Sequence, residues 1–587
     1  MSLYLHGCGS APQVPEPSTA LPESQTTAAL NPVQLPPSQF SSQFNKAEQD
    51  LQRFNWMAAS NTLAEIPAEL TSETDQQYLD YLQARIHYQK GHQQEASRLL
   101  LARESSFEPL DPAIRIKANN FQRYMLSLSG KNLQSARQGE QMLSYLSSDD
   151  NTVSAMHRSI WSELQKASSE ELQQALNEAT EPRWQGWLSL SVIMTHQGES
   201  PLDLQRDLTR WRDENPDHPG ANSLPGGLDH LLELPEPLQN VALILPLSGR
   251  LAPAAKAVRD GYLSRYYATQ PQGQLATHEL QIIDRDRYSS IEQAYTNASA
   301  AGAQLVIGPL NKNDVANLGK MPDRPVPVLA LNRVDEILPI DEMAFIQLAL
   351  APEDEAQQIA QLAFGQGNRR AMLIRPRGNW GDKMEQALLE RWTALGGTIA
   401  ATARYSGQED YSSSTAAALS LPASEQRAGD MRRLLGTKIE FTARRRQDVD
   451  SVFLLSRNSA EARSLKPLLA YHYAGKLPVY ATSSIYRGTT DSRNKDLNGV
   501  KLVETPWILS PESRGARASM TPGTDAYTRL YALGADAFLL QSRFSQLQAG
   551  ADVFIRGNTG LLSLDPQLRI RRQLQPATFD GGVIKPQ

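Results

Sequence analysis

Few side chains in this sequence stand at the spacings that catalysis requires. Asp284 and Asp286 close an apolar stretch two residues apart, a pair suited to acid and base roles if their environments separated their proton affinities. Asp284-Arg285-Asp286-Arg287 alternates in sign, however, and the alternation reads as a solvated, ion-paired loop. Nine histidines are scattered; His87 and His92 stand five apart across Gly91, a spacing that one helical face does not present to a single metal ion. No G-x-S-x-G elbow, H-E-x-x-H pair, phosphate-binding G-x-x-x-x-G-K-[ST] loop or G-x-G-x-x-G after a strand is present. Cys8 is the single cysteine, so there is neither a disulfide framework nor a thiolate metal site. The expectation is a protein without catalysis, metal or cofactor.

Binding chemistry is better represented. Residues 241–247 form a nearly unbroken apolar run, which suits a strand buried on both faces of a parallel sheet, and Ser248-Gly249 ends it. Ala254, Ala257, Val258 and Tyr262 then recur at helical spacing, so the stretch reads strand, turn, helix. In such sheets ligands lie beyond the carboxyl ends of the strands, beside helix N-termini. That rule marks Ser248 and Gly249, Gly308 and Pro309, Asn332 and Arg333, and finally Tyr480 and Thr482 as pocket positions. The same residue types also simply make turns, and Asn332 suits a helix cap. Arg432, Arg433, Arg444, Arg445 and Arg446 offer a basic surface to an acidic partner, with an exposed charged helix face as the alternative.

The elements that would hold these groups alternate regularly. Strands are expected at 279–284, 304–307, 326–331 and 344–350, with helices over 291–301 and 313–318, which together make one βαβ lobe. Ala351-Pro352-Glu353-Asp354-Glu355 then opens a helix, its proline in the first turn and its acids where the helix dipole favours them. Strands at 371–374, 398–403 and 452–455 and helices at 382–395 and 462–473 make a second lobe, interrupted by an irregular segment at 407–450. Residues 477–481 and 500–503 read as strands returning to the first lobe, before a long helix over 524–547. The α/β part thus runs over 240–575, with lobe 1 at 240–350 and 477–560, lobe 2 at 351–476, and a tail at 576–587.

Upstream, residues 39–235 show helical periodicity and almost no strand. Leu79, Leu82 and Ile86 precede Gly91, and Ala96, Leu99 and Leu100 follow it, giving helix, glycine stop, helix. Ala84, Gly91 and Ala96 stand at the offsets of a tetratricopeptide repeat, and Ser129-Gly130-Lys131 and Gln197-Gly198-Glu199 return the punctuation at an imperfect period. A TPR-like α-solenoid is expected, a generic helical bundle being the alternative. Trp56, Trp161, Trp184, Trp187 and Trp211 have core packing as their default role. Proline-rich breaks between 215 and 237 end this domain.

A length of 587 residues calls for more than one core, and a net charge of -6 carries no basic footprint for nucleic acid. Leu5-His6-Gly7-Cys8 resembles the lipobox of bacterial lipoproteins, whose cysteine is lipidated and becomes the mature N-terminus. His6 stands where a small residue is usual and seven residues precede Cys8, so the signal is truncated in this sequence or Cys8 is incidental. Gly9 in place of aspartate favours, by the same resemblance, the outer membrane. Residues 1–38 then read as a lipobox-like start and a disordered tether rich in proline.

Taken together, Val306-Ile307-Gly308-Pro309, the 351–355 crossover and Gly557-Asn558-Thr559-Gly560-Leu561 resemble a type I periplasmic-binding-protein fold. With the TPR-like domain, the lipobox-like start, the 211–225 junction and the Phe441-Thr442-Ala443-Arg444-Arg445-Arg446 run, residues 8–587 resemble the LpoA family of outer-membrane lipoproteins. That resemblance implies a non-catalytic regulator, lipid-anchored on the periplasmic face of the outer membrane. It would bind a bifunctional class A penicillin-binding protein of the 1a type and stimulate its peptide cross-linking. A receptor that closes its two lobes on an amino acid or muropeptide is the alternative.

Overall fold

Two left-handed glycines set the pitch of the helical half. Gly91 (φ +85°) ends the helix Glu73–Lys90, and the His92 amide donates back to the His87 carbonyl at 2.8 Å. Gly130 (φ +74°) repeats the device after Pro112–Leu128, the Lys131 amide donating to the Leu126 carbonyl at 2.9 Å. The computed structural model describes residues 38–587 apart from 102–106, 108–109, 147–149, 196–200, 234–237, 270–278, 340–343, 438–439, 511–526 and 549–552. Cys8, the proline-rich stretch to residue 37 and the turn at Gly198 therefore lie outside the described residues.

The helices from Ser41–Gln52 to Pro201–Glu214 pack largely on their chain neighbours, as stacked hairpins do. They enclose two cores, one around Phe44, Tyr81 and Phe121, the other around Trp161, Trp187 and Trp211. Ala84 and Ala96 are fully buried where the hairpin halves meet. Trp56 is half-buried, its ring beneath the Lys90 ammonium at 4.9 Å.

The α/β half holds one parallel sheet and one mixed sheet, each covered on both faces. In lobe 1 the order is β2-β1-β3-β4-β5, from β1 (Asn240–Leu245), β2 (Glu279–Asp284), β3 (Leu305–Ile307), β4 (Val328–Ala330) and β5 (Phe345–Gln347). Separate apolar cores cover its two faces, which explains why β1 is apolar at nearly every position. Lobe 2 is built on β6 (Arg370–Pro376), β7 (Thr398–Tyr405), β8 (Ser451–Leu454), β9 (Val479–Ala481) and β10 (Lys501–Glu504). A small antiparallel sheet of β11 (Ile555–Arg556), β12 (Leu561–Leu564) and β13 (Ile570–Gln573) sits at the junction.

Four assignments made from sequence need correction. β9 pairs with β8 and β10 with β9, so residues 477–481 and 500–503 complete lobe 2 instead of returning to lobe 1. Residues 576–587 are no tail: β14 (Gln575–Asp580) pairs with β10, and β15 (Val583–Pro586) with β14 through a two-residue Gly581-Gly582 turn. The long helix is two pieces, Thr528–Gln541 and Phe544–Gln548, and the first returns to lobe 1 against Ala252–Ala268. That packing needs glycine on both helices: a Cβ on Gly261 would lie 1.9 Å from the Tyr531 carbonyl oxygen, and one on Gly534 1.9 Å from that of Val258. The chain therefore crosses between lobes after β5, after β10 and after β13, the arrangement of a type I periplasmic-binding-protein fold. The segment 407–450, expected to be irregular, carries the helices Tyr411–Ala418 and Leu421–Leu435.

Candidate functional site

The lobe ends, where a ligand would be expected, are filled by the chain itself. Beyond β1, the Leu247 amide and the Ser248 hydroxyl donate to Asp284 at 2.9 and 2.7 Å, and the Gly249 amide donates to Asp286 at 2.6 Å. Burial works against ionisation of Asp284, yet the Ser248 hydroxyl and the amides of Leu247 and Asp286 hold its carboxyl below the usual range. Arg285 forks onto Asp314 at 2.9 and 3.1 Å. The stretch is thus the ion-paired, solvent-facing loop that its alternating charges predict, Arg287 also lying 3.5 Å from Asp284, and its two carboxylates accept from the turn after β1. Any anion arriving there would meet two carboxylates.

The other marked positions have inward-facing partners. Gly308 (φ +110°) lies so close to β1 that a Cβ would come 2.1 Å from the Ile244 carbonyl oxygen, and the Gly308-Pro309 peptide is cis. Asn332 caps no helix; its side-chain amide donates to the Leu310 carbonyl at 2.8 Å. Arg333 forks onto Asp354 at 2.9 and 3.0 Å, and Arg571 reaches the same carboxylate at 3.2 Å. Tyr480 is buried in lobe 2, donating to Gln366 and accepting from Asn368, both at 2.8 Å. The Thr482 hydroxyl is buried against that of Ser484 at 2.8 Å. The eight residues do not line one pocket.

Across the hinge, buried charge fixes one lobe to the other. Arg529, on the helix that returns to lobe 1, binds Glu504 of β10 and donates to the Ser483 and Tyr486 carbonyls at 3.1 and 2.9 Å. Glu355 accepts from the Ser483 amide at 2.8 Å and hydroxyl at 3.0 Å. Burial raises its proton affinity, while Arg572 and Arg529 draw it down. Asp536 takes four hydrogen bonds from Asn558 and Thr559 at 2.5–2.9 Å. At the cleft mouth Lys383 meets Asp335 at 2.6 Å, an exposed pair of small worth beside the buried ones.

Two seams hold the helical half to this body. Arg369 of lobe 2 lies 3.5 Å over the Phe364 ring and donates to the Tyr88 carbonyl at 3.1 Å. Gly91 is needed at this seam as well as for its turn, since a Cβ there would lie 2.6 Å from the Arg369 side chain. At the second seam Arg556 donates to the Leu164 and Ala167 carbonyls at 3.1 and 2.9 Å, satisfying the end of the helix Asp150–Lys166. Beside the first seam the turn at Gly91 brings the His87 and His92 rings to 5.7 Å, closer than their sequence spacing suggests. Among the described residues no third ligand joins them as a metal site.

The five arginines divide. Arg446 pairs with Asp448 at 2.7 and 2.8 Å, and Arg445 donates to the Tyr473 carbonyl at 3.0 Å, so both brace the fold. Arg432, Arg433 and Arg444 are exposed, Arg433 beside Asp430. Arg444 lies at the start of the helix, its amide donating to Ser424 at 3.1 Å, and sequence reasoning missed the neighbours of the other two. The last two turns of Leu421–Leu435 leave Met431, Leu434 and Leu435 at 46, 79 and 52% exposure, before the left-handed Gly436. The available signal was an apolar pair beside a glycine stop on a helix already rich in charge. This tip is an apolar patch with a basic edge.

A family model described as LppC putative lipoprotein matches residues 44–582. The protein named penicillin-binding protein activator LpoA from Photobacterium profundum is 28% identical, over 90% of this chain and 86% of its own. One of the same name from Vibrio antiquarius is 29% identical over 71% of this chain and 70% of its own. Among solved structures, full-length LpoA from Haemophilus influenzae covers 93% of this chain and 94% of its own at 22% identity, with a TM-score of 0.48. A putative branched-chain amino acid ABC transporter from Chromobacterium violaceum ATCC 12472 covers 58% of this chain and 100% of its own at 26% identity, with a TM-score of 0.44.

Proposed function

This chain belongs to the LppC putative lipoprotein family, and from that premise we propose that it is a non-catalytic activator of a bifunctional class A penicillin-binding protein of the 1a type. In this reading it raises the transpeptidase activity of that synthase from the periplasmic face of the outer membrane. Cys8 carries the lipid anchor, and the proline-rich stretch that follows is the tether, reaching roughly 90 Å if extended. Among the described residues no helix is long and apolar enough to cross a membrane.

The observation that carries this reading is the self-filled lobe ends. Ser248, Gly249 and Arg333, the groups best suited to grip a small anion, all bind carboxylates of the chain itself. A fold with its ligand donors consumed and its hinge pinned by buried charge suits a surface-presenting body better than a closing receptor. The exposed tip of Leu421–Leu435 is the surface we assign to the synthase, with Leu434 and Leu435 as apolar anchors and Arg432 and Arg433 facing acidic groups; Arg444 stands at the other end of the helix, its amide donating to Ser424 at 3.1 Å.

The test adds the purified chain to a class A synthase and lipid-linked precursor, scoring glycan polymerisation and peptide cross-linking separately. A rise in cross-linking that requires the synthase is the expected result. Unchanged cross-linking in the presence of folded protein would refute the reading.

A further inference from the structure

The turn that closes helices at Gly91 and Gly130 is made a third time after Ser41–Gln52, without glycine. The Phe54 amide donates to the Leu51 carbonyl at 3.2 Å and the Asn55 amide to that of Asp50 at 2.9 Å, matching the bonds at Gly91 residue for residue. Phe54 therefore holds the left-handed position, at φ +57°. A bulky side chain there costs about tenfold in the folding equilibrium, and Phe54 is 54% exposed, so burial offsets little of it. A strained residue whose ring stays in water is placed for something other than packing.

Met57, three residues on, is 59% exposed in the first turn of Trp56–Leu63. Trp56 lies between them in sequence, half-buried beneath the Lys90 ammonium. Lys46, exposed on Ser41–Gln52, and Arg53, exposed just beyond its end, stand two turns apart. Neither they nor Lys90 form an ion pair with a described carboxylate. The acids of that helix are otherwise engaged: Glu48 binds Arg85 at 2.8 Å, and one carboxylate oxygen of Asp50 is closed off from solvent.

Two exposed apolar side chains fall far short of the roughly 800 Å² that each partner of a stable protein complex buries. Apolar side chains beside unpaired cations instead suit an anionic lipid surface, where the apolar groups enter the headgroup boundary and the cations meet phosphates. We propose that residues 53–57 make a membrane contact, with Phe54 and Met57 inserted among anionic phospholipid headgroups and Lys46, Arg53 and Lys90 against their phosphates. The inference rests on the anchored reading in one respect: the proline-rich tether ends just ahead of this hairpin, so the membrane is within its reach. The lipid anchor holds the chain to the membrane, and the turn sets which face of the helical half lies against it.

Co-sedimentation of the full, unacylated chain with vesicles tests this, using phosphatidylcholine alone or with about a quarter phosphatidylglycerol. The chain should be half bound at about 1 mM of the anionic mixture and bind phosphatidylcholine at least about tenfold more weakly. F54G suits the left-handed position and should melt no lower than the parent, while weakening vesicle binding about tenfold. R53Q/K90Q, at surface positions, should also stay folded and bring binding to anionic vesicles down to the level seen with phosphatidylcholine. Equal binding to the two vesicles, binding to neither, undiminished binding by F54G, or an F54G melt several degrees below the parent would each overturn the proposal. Loss of synthase binding in F54G, with no vesicle binding by the parent, would assign the turn to a protein instead. The vesicle measurements contain no synthase, so this proposal and activation of cross-linking fail separately.

Discussion

The lobe ends and the tip of the helix Leu421–Leu435 are both places where this fold meets solvent, and they are finished in opposite ways. At the lobe ends the donors that a ligand would seek are taken by Asp284, Asp286 and Asp354 of the same chain. At the helix tip Leu434 and Leu435 stand exposed. Burying even half of two such side chains against a partner is worth about 1.5–3 kcal/mol, whereas the lobe ends have no comparable surface left to satisfy. On the proposed reading, recognition of the synthase belongs at the helix tip, and the groups at the lobe ends are part of the frame.

The largest effect should come from breaking the frame at the hinge. E504A strands the Arg529 guanidinium in a buried site and should cost about 3–5 kcal/mol in denaturant unfolding. A loss under about 1 kcal/mol would mean that the hinge is wet and the lobes are free to close. D284A strips the Leu247 amide and Ser248 hydroxyl of their acceptor and should cost about 1–3 kcal/mol. The same variant sharpens the contrast, because activation of the synthase should survive it.

The helical half should respond to acid in a way the lobe ends do not. His218 packs between Trp187 and Trp211 and accepts from the Gly220 amide at 3.0 Å; burial pulls its proton affinity down from 6.5 to about 4. The unfolded chain therefore takes up this proton before the folded one does. Stability is full above about pH 6.5, falls as the pH drops toward 4, and has lost on the order of 2 kcal/mol by then. H218Q should flatten that slope in melts taken across the interval. The smallest effect should follow K383A, which removes one exposed pair at the cleft mouth and should change stability by less than about 1 kcal/mol.

What could be read from the sequence was periodicity, and what could not was pairing. The strand at β2 and the helices following β2 and β6 were legible because their apolar spacing is local. β9 and β10 were recognisable as strands, yet three or four apolar residues carry no mark of the sheet they join, so their lobe was misread. β14 alternates Ala577 and Phe579 inward with polar residues outward, a faint period-two signal beside a double-glycine turn. The site was harder still. Glu355 read as an acid placed for a helix dipole, and its burial against Ser483 depends on a segment more than a hundred residues away. Arg444, Arg445 and Arg446 look alike in sequence, and packing alone separates the exposed one from the two that brace the fold.

The measurement that bears most directly on the account is the affinity of the synthase for three proteins: the parent chain, L434D/L435D and D284A. The leucine variant should fold with stability within about 0.5 kcal/mol of the parent, since it alters only exposed side chains. It should bind at least about tenfold more weakly, while D284A binds like the parent. Undiminished binding by L434D/L435D together with loss in D284A would contradict the account and return recognition to the cleft.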